Sequence, residues 1–196
     1  MYYSHTYKKV TVAPALEPVT EQELRAYGKI DNAEDAGLLK DIIVASRQAI
    51  EEYVNIAMIA RTVEIGFYKW PDLLRLPDWP ISSISSVAYY DQSNDSQTWA
   101  VSNYDTDINS DPARIELAHG KTWPSLYERP DAVQVTYVAG YGVAATDTPN
   151  ALQILLKAAA MDIYEMRNKN LQSPFELREN KAICNLAAAY MRHTVI

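Results

Sequence analysis

The chain has 196 residues, 48% of them hydrophobic, which is enough apolar material for one domain with a sizeable core or for a small domain carrying an inserted lobe, and which excludes global disorder. Its formal net charge is -7 and unevenly spread: six Lys/Arg against nine Asp/Glu in residues 1–60, six against twelve in 61–147, six against four in 148–196. Affinity for nucleic acid comes mainly from basic side chains releasing condensed counterions, so this balance excludes non-specific DNA binding.

Residues 1–18 contain Pro14 and Pro18 and no helical period, which predicts an extended arm. Thr20 with Glu23 then forms a capping box. Val19 and Leu24 sit where a hydrophobic staple would place them, and Gly28 is positioned to end the short helix in a left-handed conformation. A second helix is expected from Asp31 or Asn32, with Glu34 and Asp35 at the positive end of its dipole. Leu39, Ile42, Ile43, Ser46, Ala49, Ile50, Tyr53 and Val54 recur at three- and four-residue spacing, while Lys40, Arg47, Glu51 and Glu52 fall on the remaining, solvated face.

From residue 60 to 139 the period changes to two. Val63, Ile65 and Phe67 alternate with Thr62, Glu64 and Tyr68, and further strands are expected at 86–90, 98–101, 113–117 and 132–138. Asp91-Gln92-Ser93-Asn94-Asp95-Ser96 reads as a hairpin loop. Trp70, Trp79 and Trp123 each precede a proline, which holds them out of the helical region and marks strand ends with the indole free to pack. After Gly140 and Gly142, Thr148 as N-cap and Pro149 as first residue open a long helix over 151–166, apolar on most of its circumference. Leu171 to Pro174 is a break, and a last helix is expected over 176–191, with Cys184 in it as a small buried hydrophobe. A single cysteine allows no intrachain disulfide, which fits a reducing compartment. No apolar leader or membrane-spanning run is visible, so a soluble protein without a cleaved export signal is expected.

The order of elements predicts an α+β fold: a helical body of two N-terminal helices, one long apolar helix and one C-terminal helix, interrupted by an antiparallel β lobe. The divisions are 1–59 for the arm and first helices, 60–146 for the lobe, and 147–196 for the helices that complete the body.

Few motifs point to chemistry. Asp105, Asp107, Asn109, Asp111 and Glu116 fall at positions one, three, five, seven and twelve of a calcium loop, but Ser110 stands where the turn wants glycine and a strand follows where a helix should exit. A polar turn between strands is the competing reading. Gly140-Tyr141-Gly142-Val143-Ala144-Ala145 matches a dinucleotide fingerprint formally, yet Thr146 to Pro149 restarts the chain before the helix. His5, His119 and His193 lie far apart, which suggests neither zinc nor a triad, and Glu51 and Glu52 read as solvated. No cofactor and no enzymatic activity are expected. Fourteen tyrosines against two phenylalanines suit wet protein interfaces.

Taken as an ordered series, the chain resembles the head-tail connector (adaptor) proteins of long-tailed bacteriophages. The resemblance lies in Glu17-Pro18-Val19-Thr20, in Lys29 to Asp35, in Leu38-Leu39 through Ile50-Glu51-Glu52-Tyr53, in Leu76-Pro77 and in Ser85 to Asp91. It continues in Trp123-Pro124 and in Arg129-Pro130 through Ala139-Gly140-Tyr141-Gly142, covering about residues 15–168 and fading after Met166. It implies a structural subunit of a ring, usually twelvefold, that sits in the virion neck beneath the portal protein after synthesis in the host cytoplasm. Such a ring continues the DNA channel without specific DNA binding or membrane contact, and docks a stopper or tail-completion protein. On that reading Leu152, Leu155, Ala159 and Ile163 pack on the second helix, Ile154, Ala158 and Met161 face a neighbouring subunit, and Arg178, Lys181 and Arg192 reach the portal or an adjacent ring. The alternatives are a calcium- or ligand-binding β module on a helical scaffold, or another neck protein such as a stopper.

Overall fold

The computed structural model describes residues 5–32, 35–71, 73–166, 185 and 187–191. The fold is α+β and falls into two compact units, one holding residues 5–15 and 60–141, the other residues 16–59 and the described residues after 141.

The helical unit contains α1 (Glu21–Gly28), α2 (Ala36–Val54) and α3 (Asn150–Met166), each in contact with the other two. Both halves of the capping box of α1 are present: the Glu23 amide donates to the Thr20 hydroxyl at 3.2 Å and the Glu23 carboxylate accepts the Thr20 amide at 2.8 Å. A helix this short is unstable alone, so the cap and the burial of Val19 and Leu24 decide that it forms. Gly28 is its last helical residue but is not left-handed: Lys29 takes that conformation (φ 51), and at Gly28 a Cβ would collide with the Met161 thioether. The second helix starts at Ala36, four residues or more beyond the expected Asp31 or Asn32, and Asp35 makes no side-chain cap. Its buried stripe includes Leu39, Ile42, Ile43, Ser46, Ile50 and Val54 as the period requires, but Arg47 and Glu51, expected in solvent, are buried as well.

Thr148 is not the cap of α3. Pro149 supplies the first helical carbonyl, to the amides of Leu152 and Gln153, and the buried Thr148 hydroxyl donates instead to the Met58 carbonyl at 2.8 Å. The Gln153 side-chain amide donates to the carbonyls of Ala145 and Thr148, tying the first turn of α3 to the segment before it. Nor is α3 apolar on most of its circumference: Gln153, Lys157, Asp162 and Glu165 break it into faces. Of the last predicted helix only residues 185 and 187–191 are described; 187 and 188 are helical and Ala187 is buried, while Cys184 lies outside the described residues.

The β unit has a five-stranded antiparallel sheet in the order β1-β2-β8-β4-β5 and a three-stranded antiparallel sheet in the order β3-β7-β6. The strands are β1 (His5–Val12), β2 (Arg61–Phe67), β3 (Leu74–Arg75), β4 (Ile81–Tyr90), β5 (Ser96–Thr98), β6 (Tyr104–Asp107), β7 (Arg114–Leu117) and β8 (Val133–Ala139). Strict alternation in β8 puts Val133, Val135, Tyr137 and Ala139 in the core against Phe67, Ile65 and Val63 of the paired β2. The arm expected at 1–18 is, over His5–Val12, a strand paired antiparallel with β2, so this stretch belongs with the sheet and not with the helices. The expected strand at 98–101 is displaced, β5 ending at Thr98 before a 3-10 turn at Val101–Asn103. The 91–96 hairpin forms, its turn held by the Asp91 carboxylate accepting the amides of Ser93 and Asp95, with Asn94 left-handed (φ 63).

Candidate interaction surface

Successive residues of α3 advance by roughly 100° around its axis. Leu152, Leu155, Leu156, Ala159 and Ala160 therefore make one broad face, and all are buried. Of the four residues expected to pack inward, Leu152, Leu155 and Ala159 do so, and Ile163 is half-buried. Met161 falls on the opposite side, yet α1 covers it: its thioether lies against Gly28 and it is only 9% exposed. On the same flank the Tyr164 hydroxyl donates to the Asp35 carboxylate at 2.6 Å. What remains is a narrow stripe of Ala151, Ile154 and Ala158, with Ile154 47% exposed and the alanines half-buried. Of the three expected contact residues, Ile154 and Ala158 thus share a surface, whereas Met161 is already covered by its own chain.

The helical unit also holds a buried ion network that sequence reading missed. The Arg47 guanidinium donates from Nε to Glu17 Oε2 (2.6 Å) and from Nη1 to Glu51 Oε2 (2.7 Å), and Glu51 Oε1 accepts the Met58 amide at 2.8 Å. Burial by itself would lower the Arg47 pKa, but Glu17 and Glu51 outweigh it and raise it, so the cation is secure. The only local signal was the i,i+4 spacing of Arg47 and Glu51, which occurs as readily on solvated helices.

In the β unit, a second buried node holds β1. Asp78 accepts from Lys8 Nζ (2.8 Å), Arg61 (3.4 Å) and the Tyr137 hydroxyl (2.5 Å). Burial pushes the Asp78 carboxyl up, but Lys8, Tyr137 and Arg61 together hold it below the ordinary carboxylate range. The same burial and the facing carboxylate push the Tyr137 phenol up, so it remains a donor. On the other face of β2, the Tyr7 ring lies over Gly66, where any Cβ would collide with it, and its hydroxyl donates to Glu64 Oε1 at 2.7 Å. Two of the three proline-flanked tryptophans meet: Trp70 and Trp123 stack at 4.3 Å, both beside Trp99, which stacks on Tyr104 at 5.3 Å. This cluster joins Tyr89 of the larger sheet to Tyr104 of the smaller one and reads as core.

The other candidate sites do not assemble. Asp105 and Glu116 are cross-strand partners in the β6–β7 ladder, and Asp107 is occupied by the amides of Asn109 and Ser110, the Ser110 hydroxyl and Arg114 at 3.1 Å. With Asn109 and Asp111 in the connecting turn, the calcium spacing becomes a hairpin, and no group of three or more His, Cys, Asp or Glu among the described residues is placed to hold a metal ion. Gly140 has φ 127 and donates to the Pro80 carbonyl at 2.8 Å, so it turns the chain at the strand end. The carboxylate of Asp147 crowds Gly142 and accepts the Ala144 amide, a negative charge where a phosphate would need to sit. His5 is on β1 and His119 in the turn after β7; His193, Arg178, Lys181 and Arg192 lie outside the described residues.

No protein-family model matches the chain, and no curated protein matches it. Solved structures do share its fold. A chain from the neck of an empty gene transfer agent (GTA) particle computed with C6 symmetry superimposes with a TM-score of 0.79 at 16% identity, covering 97% of each chain. A chain of the virion of a native GTA particle gives 0.76 at 19%, covering 96% of this chain and 97% of that one. One from the neck of a native GTA particle computed with C12 symmetry gives 0.71 at 18%, covering 97% of each.

Proposed function

We propose that the chain is a non-enzymatic structural subunit of a phage-like neck, a head-tail connector that assembles as a ring beneath the portal, extends the DNA channel and docks a stopper or tail component. The observation that carries this reading is the likeness of fold over 97% of both chains to proteins in the neck of a particle, one of them in an assembly computed with C12 symmetry. The apolar stripe of Ile154 and Ala158 supports it, because a cyclic ring needs a heterologous contact on each subunit and this stripe is uncovered among the described residues. The net charge of -7 suits a wall past which DNA slides without sticking. Arg178, Lys181 and Arg192 are the basic side chains proposed to reach the portal or a neighbouring ring. The two ion networks are consumed in holding the fold, which supports a structural role over acid-base chemistry.

The test is to mix the purified protein with tailless, DNA-filled capsids and image them by electron microscopy. A new ring-shaped layer at the single portal vertex is expected. Capsids that stay bare at a concentration where the protein is folded would overturn the reading.

A further inference from the structure

Strand β1 is unusual in its connectivity. It pairs with β2 from the far side of 44 helical-unit residues, and the short link that carries it into that unit, residues 13–16, contains Pro14 with Ala13, Ala15 and Leu16 exposed. Its seat on β2 is built for it. Tyr7 lies in the notch left by Gly66, Lys8 enters the buried Asp78 node, Lys9 pairs with Glu64 at 2.7 Å, and the antiparallel ladder runs from His5↔Phe67 to Val12↔Thr62. Main-chain pairing with alternate side chains received in shaped pockets is how an added strand is recognised in trans. None of these contacts depends on which copy of the chain supplies the strand. Exchange therefore costs only a reorientation of the link, the condition under which an identical element swaps between protomers.

We propose that in the assembled ring β1 is donated to β2 of the adjacent copy, so that each subunit is stitched to the next through the Tyr7–Gly66 and Lys8–Asp78 seats, while the free chain closes β1 on itself. The proposal rests on the connector reading above. It deepens that reading by naming a second ring contact besides the Ile154 stripe.

Lys9 and Glu64 are directly paired across β1 and β2, a separation a disulfide spans. In a Cys184→Ser background, chains carrying only Lys9→Cys are mixed with chains carrying only Glu64→Cys, assembled on tailless capsids and oxidised. Exchange predicts a covalent two-chain band on a non-reducing denaturing gel, absent from the unassembled mixture. The Lys9→Cys, Glu64→Cys double variant serves as second measurement, and is expected to run as one chain when free and as a ladder of several chains after assembly. Rings visible by microscopy with only single-chain bands overturn the exchange and leave the connector reading standing. Absence of any ring overturns both.

Discussion

The Thr148 hydroxyl lies 2.8 Å from the Met58 carbonyl, 90 positions earlier in the chain, and both residues are buried. The same Met58 gives its amide to Glu51, which holds Arg47, which holds Glu17. One run of polar contacts thereby ties the lead into α1, the middle of α2, the turn after α2 and the lead into α3. Inside a low-dielectric core such a run is favourable only while every member is satisfied, so each link should be felt when it is broken.

Glu51→Ala removes the carboxylate that both Arg47 and the Met58 amide use. It should destabilise the chain by about 3–5 kcal/mol, because the buried Arg47 cation loses one of its two carboxylates and the buried Met58 amide loses its acceptor. Thr148→Val, which deprives only the Met58 carbonyl of its donor, should cost about 1–2 kcal/mol. Urea unfolding of the two variants checks both the order and the sizes; equal, small effects would mean the network is open to water.

Asp78 makes stability depend on pH. Its folded pKa lies below the unfolded value of about 3.9, so the unfolded chain binds the proton more readily and the contribution is present above that value. It is lost as the pH falls through the folded pKa. Urea midpoints measured from about pH 6 down to about pH 2.5 should decline at the acid end, and Asp78→Asn should be less stable at neutral pH and show a shallower decline.

Ile154→Glu should leave stability within about 0.5 kcal/mol, since the side chain is exposed, while abolishing ring formation on capsids. Ala158→Glu should likewise keep the fold and lose the ring. Met161→Glu should do the reverse of a surface change and unfold the helical unit, its side chain being shut against Gly28. Circular dichroism melting alongside electron microscopy separates the two outcomes. Normal rings from Ile154→Glu would exclude this stripe as a contact.

Gly66→Val should cost about 1–3 kcal/mol by displacing the Tyr7 ring. In a Tyr7→Ala background the same substitution should cost less, because the ring it would strike is gone. A double-mutant cycle in urea measures the difference, and additive effects would show that the ring does not depend on this notch.

Much of the local structure was legible in the residues themselves. The two-residue period of β2 and β8, the apolar spacing of α2, the Thr20–Glu23 box and the Asp91 turn all appear in the fold, since each is set by interactions spanning a few residues. β1 was not legible: its side chains are mostly exposed, so no burial period marks it, and only the partner strand β2 makes it a strand. Gly28 looks like a helix end in the sequence and Gly66 carries no signal there, yet each accommodates a large side chain from a distant element.

Composition, caps and periodicity thus determined by themselves that this chain is an acidic α+β protein with antiparallel strands set between helices. The tertiary structure alone decided which charges are interior, which flank of α3 stays uncovered among the described residues and where β1 docks. The physical reason is range: a turn or cap is stabilised by its immediate neighbours, whereas burying Arg47 or Asp78 is tolerable only when partners tens of residues away fold over them.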